Sequence, residues 1–180
     1  MESVRRPFVA FKNKYFVETG THKGDGIQDA IDAGFEHIYS YEVFPPLYEI
    51  SANRFKDYNN VHIYLKSSVN MFDELCQINE PITFWLDGHN SGYNNETGYD
   101  NLNFYPLVKE LRTISKHHIK THTICIDDRR LLKETNFNTP ESIGFTENTI
   151  VNELISINPN YTIEYRDGVC KDDVIVAYIK

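Results

Sequence analysis

Apolar residues fall along this chain in two alternating periods. Short β-branched and aromatic runs occupy residues 14–18 (KYFVE), 37–42, 61–65, 82–86 and 121–126, each of strand length and bounded by turn residues. Between them, apolar positions recur at helical spacing. Residues 25–33 put Ile27, Ala30 and Ile31 on one face and close at Gly34, and residues 47–58 follow Pro45-Pro46. Residues 69–78 and 104–114 continue the series, the latter through Leu107, Val108, Leu111 and Ile114. Residues 88–103 have no period and are rich in Gly, Asn and Tyr, so they are expected to form a loop, and 131–145 fits neither period. A helix is expected over 146–156, capped by Thr146, then strands at 161–165 and 174–179 joined by a turn at Asp167-Gly168.

Five strand-then-helix units predict an α/β fold: a seven-stranded, mostly parallel sheet with helices on both faces. The last two strands are joined too tightly for a parallel return, so that pair is antiparallel. With 180 residues, no internal repeat and no linker, the chain reads as one domain, 1–180, able to bury roughly 70% of its unfolded surface.

Composition narrows the partners. A net charge of −8 and the lack of a Lys/Arg cluster argue against nucleic acid. No run approaches the ~20 apolar residues of a membrane span, and no signal-length apolar stretch follows Met1. Cys76, Cys125 and Cys170 are odd in number and widely spaced, which fits a reducing compartment and neither zinc nor a disulfide framework. A soluble, cytoplasmic protein is expected, with a homo-oligomer left open.

The chemistry gathers at the strand ends. In open parallel sheets ligands bind beyond the carboxyl ends of the strands, near the point where strand order reverses. Four expected strand ends carry acids: Glu18, Glu42, Asp87 and the pair Asp127-Asp128. The first strand runs into Thr19-Gly20-Thr21-His22-Lys23-Gly24-Asp25-Gly26, whose glycines permit close backbone approach to a ligand at a helix start. The glycine spacing is wrong for a dinucleotide pyrophosphate, and Glu18 would repel one. A sulfonium and an amino group would be welcome there, with Glu42 at the next strand end to accept ribose hydroxyls.

The turn Glu18, Gly20, Gly24 followed by Glu42 resembles motifs I and II of the class I S-adenosylmethionine (SAM)-dependent methyltransferases. The segments 16–21 (FVETGT), 84–89 (FWLDGH) and 126–129 (IDDR) resemble a subgroup of small bacterial and viral methyltransferase-like proteins. The likeness spans roughly residues 14–180. It implies a Rossmann-like sheet and a SAM site formed by Glu18, Gly20, Thr21, Gly24, Gly26, Glu42, Ser67 and Asp87. Two departures stand out: His22 replaces a central glycine, and Lys66-Ser67-Ser68 stands where an acid often meets adenine, leaving Ser67 as the adenine contact.

Asp87 and Asp127-Asp128 end neighbouring strands of such a fold. Converging carboxylates repel unless a proton or cation joins them, and oxygen ligands select Mg²⁺, Ca²⁺ or Mn²⁺. Metal-dependent sugar and catechol O-methyltransferases are similar at these positions, which implies Asp87, Asp127 and Asp128 as metal ligands. The alternative is an ion pair of Asp128 with Arg129 or Arg130. His89, two residues beyond Asp87, is the candidate general base for a metal-bound hydroxyl, with Asp87 beside it. His117, His118 and His122 follow a polar helix end that favours His⁺, and no chemistry is assigned to them. The expected function is methyl transfer to a hydroxyl of a small acceptor, a sugar or glycan, with Tyr93 and Tyr99 in the covering loop. The competing readings are a catalytically silent SAM-binding or interaction module, and a non-haem metal oxygenase built on Asp87, His89 and a distant histidine.

Overall fold

The apolar runs form β1 (Tyr15–Thr19), β2 (His37–Glu42), β3 (Val61–Leu65), β4 (Ile82–Leu86), β5 (Thr123–Ile126), β6 (Thr162–Arg166) and β7 (Val174–Tyr178) of one sheet. This is a computed structural model, and it describes residues 6–89, 105–132 and 146–180. Strand order is β3-β2-β1-β4-β5-β7-β6. The strands from β1 to β5 pair in parallel, whereas β7 runs antiparallel to both β5 and β6. The chain leaves β1 first toward β2 and β3 and later crosses to β4, so the order reverses between β1 and β4. A crevice opens at such a point.

Helices α1 (Asp25–Asp32), α2 (Pro45–Arg54), α3 (Phe72–Leu75), α4 (Leu107–Ile114) and α5 (Glu147–Ile157) connect the strands. Alternation along the central strands sends residues to two cores. Val17, Phe84, Leu86 and Ile126 meet α4 and α5, while Phe16, Trp85 and Cys125 face the layer containing Ile27 and Ala30 of α1. Thr146 caps α5 as the sequence predicts: its hydroxyl accepts the Thr149 N–H at 3.3 Å.

Three helices depart from the periodic pattern for local reasons. Proline suits the first helical turn, so α2 starts at Pro45 rather than residue 47, and it closes at Arg54. Pro106 disfavours helical geometry at Tyr105, which delays α4 to Leu107. The stretch 69–78 yields a 3-10 turn, Ser68–Asn70, and the single turn of α3; Ser67, Ser68 and Asn70 are residues whose side chains compete with helical backbone bonds. The expected loop from residue 90 onward, with Tyr93 and Tyr99, and the segment 133–145 lie outside the described residues. Among the described residues no helix is long and apolar enough to cross a membrane.

Of the three histidines after α4, His118 is exposed as expected, but the other two do not sit at a solvated helix end. His117 and His122 are buried. His117 Nε2 donates to the carbonyls of Leu75 (2.9 Å) and Ile78 (3.1 Å), and His122 Nδ1 accepts the Ile82 N–H at 3.1 Å. With His117 Nδ1 left as an acceptor, His122 Nε2 donates to it at 3.2 Å. Burial, reinforced by His117 and Lys120, pushes His122 down to about 3, so His122 is neutral, and the bonded pair ties α4 to β4 and α3.

The N-terminal 3-10 turn, Pro7–Phe11, had no signal in the periodic pattern, yet it supplies Phe8 to the core. Phe8 is fully buried, with ring centroids 4.7 Å from Phe16 and 5.3 Å from Trp85. Phe8→Ala should therefore lower unfolding stability in urea by about 3–5 kcal/mol, the range for deleting a buried ring. A loss below about 1 kcal/mol would mean that the core closes over the gap.

Candidate active site

Four of the five parallel strands deliver a carboxyl group to the same end of the sheet. Glu18 points from β1 under the start of α1. It is 2% exposed, and the Ser40 hydroxyl donates to its Oε2 at 2.7 Å. Ser40 has one proton, so Thr21, 2.6 Å away, donates to Ser40 and completes a wire from the turn to the acid. Burial pushes Glu18 up to about 8, against the opposing pull of Ser40 and Arg6.

The glycines make this geometry sterically open. A Cβ on Gly26 would lie 1.8 Å from Glu18 Oε1, so Gly26 makes room for the acid beneath the helix. Gly20 has φ +81, and a Cβ there would lie 2.5 Å from the Asp87 carbonyl oxygen, bringing the β1 turn directly against the end of β4. Gly24 is the left-handed N-cap of α1 and sits against the Phe55 ring. His22 adopts φ 49, so the turn keeps a left-handed residue where the methyltransferase motif has glycine.

Glu42 ends β2 with its carboxylate pinned by three amides. His22 N–H donates to Oε2 at 2.8 Å, and the Val43 and Phe44 N–H groups donate to Oε1 at 2.9 Å each. A carboxylate has about four acceptor positions, so one remains on Oε2 for a ligand. Ser67 lies half-buried at the end of β3, but it is its neighbour Ser68 that reaches inward.

Beyond β4 and β5 lies a narrow cleft lined by Asp87, Gly88, His89, Tyr105, Glu110 and Asp127, among others. His89 spans it, with Nδ1 3.3 Å from Asp87 Oδ1 and Nε2 2.9 Å from Asp128 Oδ2. Burial works against the imidazolium, but the bonds and charges of Asp128 and Asp87 outweigh it and raise His89 to about 10. The ring is therefore the acid form at neutral pH, not the imidazole titrating near neutrality that the sequence suggests. Burial, with Asp87 and Asp128 adding to it, raises Asp127 to about 7. Asp128 goes the other way, because His89 and Arg130 outweigh its burial.

The three expected metal ligands do not form one set. Asp87, His89 and Asp128 offer ligand atoms within 4.8 Å of one another, whereas Asp127 groups with Asp128 and Asp173. Two oxygens and an imidazole nitrogen suit a divalent cation in type and spacing. The alternative ion pair is also realised, since Arg130 Nη1 lies 2.5 Å from Asp128 Oδ1 and also bonds Asp173. No second histidine joins Asp87 and His89 among the described residues, which removes the facial triad an oxygenase would need.

The sequence reading passed over Glu110. It is 1% exposed on α4 and sits beneath Gly88; the Ser68 hydroxyl donates to its Oε1, and the Thr19 hydroxyl stands beside it at the Gly88 backbone. An acid in the first turn of a helix normally reads as a solvated partner of the helix dipole; only the apolar neighbours on both sides, Val108 and Leu111, hint that this one faces inward.

No protein-family model and no curated protein matches the sequence. Solved structures do match, and they identify the fold as that of the class I SAM-dependent methyltransferases. The O-methyltransferase from Bacillus cereus in complex with S-adenosylhomocysteine (SAH) superposes with a TM-score of 0.68 at 13% identity, covering 96% of this chain and 77% of that one. The O-methyltransferase TomG from Streptomyces achromogenes, in complex with SAM, gives 0.62 at 10% identity over 96% and 76%. An rRNA methylase from Streptococcus thermophilus gives 0.58 at 13% identity over 99% of both chains. At such identities the likeness is one of fold.

Glu18 supplies a pH test. Its folded-state value of about 8 lies above the ordinary 4.5, so the folded chain holds its proton more tightly than the unfolded chain. The matching stability is fully present below 4.5 and is lost as pH rises through 8. Glu18→Gln should raise the melting temperature at pH 8–9 while changing it little near pH 4. An equal effect at both pH values would show that Glu18 ionises freely in the folded protein.

Proposed function

We propose that this protein is a SAM-dependent O-methyltransferase that acts on a hydroxyl of a small acceptor, a sugar or glycan, with a divalent cation assisting. The observation that carries the reading is the placement of Glu18 and Glu42 on adjacent strand ends around the Gly20–Gly24 turn, with the acid–imidazole cleft directly beside it. SAM- and SAH-bound neighbours of the same fold support it.

The residues fit such a ligand by their donor chemistry. Glu18 is a buried carboxyl that a cationic ligand would favour in its ionised form, and the open position on Glu42 Oε2 accepts a ribose hydroxyl. Ser67 stands at the end of β3, where the adenine would lie. SAM supplies a methyl group on a sulfonium, an electrophile that demands in-line approach of the acceptor oxygen. The contact between Gly20 and Asp87 holds the turn and the cleft in fixed relation, and this serves that alignment.

Asp87 and Asp128 would hold the cation, which would neutralise the two carboxylates that now keep His89 protonated. Asp127 would act as their neighbour rather than as a ligand. His89 is then free to take the acceptor's proton; while it stays protonated, Asp87 is the carboxylate placed to do so. The cleft presents carboxyl oxygens, which accept hydrogen bonds, and this favours polyol acceptors over phosphate-rich ones such as nucleic acid. A silent SAM-binding module remains the second reading, favoured by the hold of two carboxylates on His89 and by the Arg130–Asp128 pair. Methyl transfer to any acceptor excludes it.

SAH should raise the melting temperature, because a ligand of the folded state alone stabilises it. Calorimetry should find SAH binding weakened in Glu42→Ala by about 1.5–3 kcal/mol, the range for a charge-assisted hydrogen bond; equal affinity would remove Glu42 from the site. Asp128→Asn should abolish dependence of turnover on Mg²⁺ or Mn²⁺ while SAH binding survives. Turnover that is unchanged in excess EDTA would eliminate the cation.

A further inference from the structure

We infer that Glu110 is a positioning residue that locks together the three strand ends on which ligand binding depends. The inference rests on the SAM reading for its ligand, but not for its geometry. Glu110 stands on α4, on the opposite side of the strand ends from α1, and belongs to none of the motifs that the fold brings to its ligand. Yet its carboxyl accepts from one hydroxyl, that of Ser68, and shares the Gly88 backbone with another, that of Thr19. Ser68 follows β3, and Thr19 is the last residue of β1.

The third connection runs through Thr19. The Asp87 N–H donates to Thr19 Oγ1 at 3.2 Å and to the Thr19 carbonyl at 3.2 Å. A threonine hydroxyl has one proton. Since its oxygen accepts from Asp87, that proton is left to turn toward Glu110, whose Oε1 meets the same point of the Gly88 backbone. In its carboxylate form Glu110 only accepts, and it then sets the direction of the whole chain, from Asp87 N–H to Thr19 toward Glu110, with Ser68 donating from the other side. A neutral group of the same size that could also donate would leave this direction undefined.

Steric closure supports the same role. A Cβ on Gly88 would lie 3.0 Å from both Glu110 Oε1 and Thr19 Oγ1, so the backbone after β4 rests directly on the pair. Gly20, one residue past Thr19, rests on the Asp87 carbonyl. The β1 turn and the Asp87 loop are thus held from two sides, by Gly20 above and by Glu110 below. A polar network buried to this degree is stable when every member is satisfied and costly when one is lost.

The test compares wild type with Glu110→Gln, Glu110→Met, Thr19→Val and the Glu110→Met/Thr19→Val double variant. SAH affinity is measured by calorimetry, and exchange of the Asp87 and Gly88 amide hydrogens is measured on ligand-free protein whose melting temperature is recorded. Met fills nearly the volume of Glu, so a space-filling role would leave both readouts unchanged. The expected result is faster exchange at Asp87 in Glu110→Met and Thr19→Val. SAH binding should weaken by about tenfold or more in Glu110→Met, the loss of one charge-assisted bond. Glu110→Gln keeps one acceptor and should fall between. The double variant should bind no more weakly than the weaker single one, since both act along one chain. Unchanged exchange and affinity in Glu110→Met, or additive losses in the double variant, would overturn the proposal. If wild type itself binds no SAH, the SAM reading fails, and the exchange rates alone decide: acceleration at Asp87 upholds the positioning role and its absence refutes it.

Discussion

A carboxyl group that is taken out of water must find donors or keep its proton, and this constraint shapes the ligand-facing end of the sheet. Each acid there has a different solution. Glu42 is met by three backbone amides. Glu18 is met by a serine that is itself fed by a threonine, and Glu110 by a serine. Asp128 is met by an arginine and an imidazolium. These donors come from different loops, so satisfying the acids also fixes the loops relative to one another.

The glycines follow from that demand rather than from flexibility. Gly26 leaves room for Glu18, Gly20 for the Asp87 carbonyl, and Gly88 for Glu110 with Thr19. In each case a side chain would enter a position already held by an oxygen of the network. This also explains why His22 can stand at a position that favours glycine. Its left-handed backbone directs its N–H to Glu42, and that bond offsets the strain of a positive φ.

The sequence made the sheet legible because its strands are short, apolar and separated by strong turn signals. The bounds of β2, β3 and β4 match the periodic runs residue for residue. Where hydroxyl or amide side chains intervene, as at Ser67, Ser68 and Asn70, the pattern overstates the helix. The N-terminal turn was invisible because a single 3-10 turn carries no period, even though Phe8 is core. At the site, strand-end acids were legible by position, but their partners were not. Whether His89 turns toward Asp128, or Asp127 toward Asp173, depends on how β5 and β7 meet, and that is set by pairing far apart in the chain. Glu110 and the pair His117–His122 were missed for one reason: polar residues near helix ends look solvated until the sheet closes over them.

Taken together, the acids exceed the cations that face them. Burial holds Glu18 near 8 and both Glu110 and Asp127 near 7, while His89 is driven to about 10 by the carboxylates on either side. The site therefore gathers unfavourable charge that it relieves with borrowed protons. A ligand bearing positive charge removes that strain wherever it lands, whether beside Glu18 or between Asp87 and Asp128. An anionic ligand adds to it. The same imbalance weakens the fold above neutral pH and, on the proposed reading, would favour a cationic or donor-rich ligand, whose binding free energy would include the relief of repulsion already built into the strand ends.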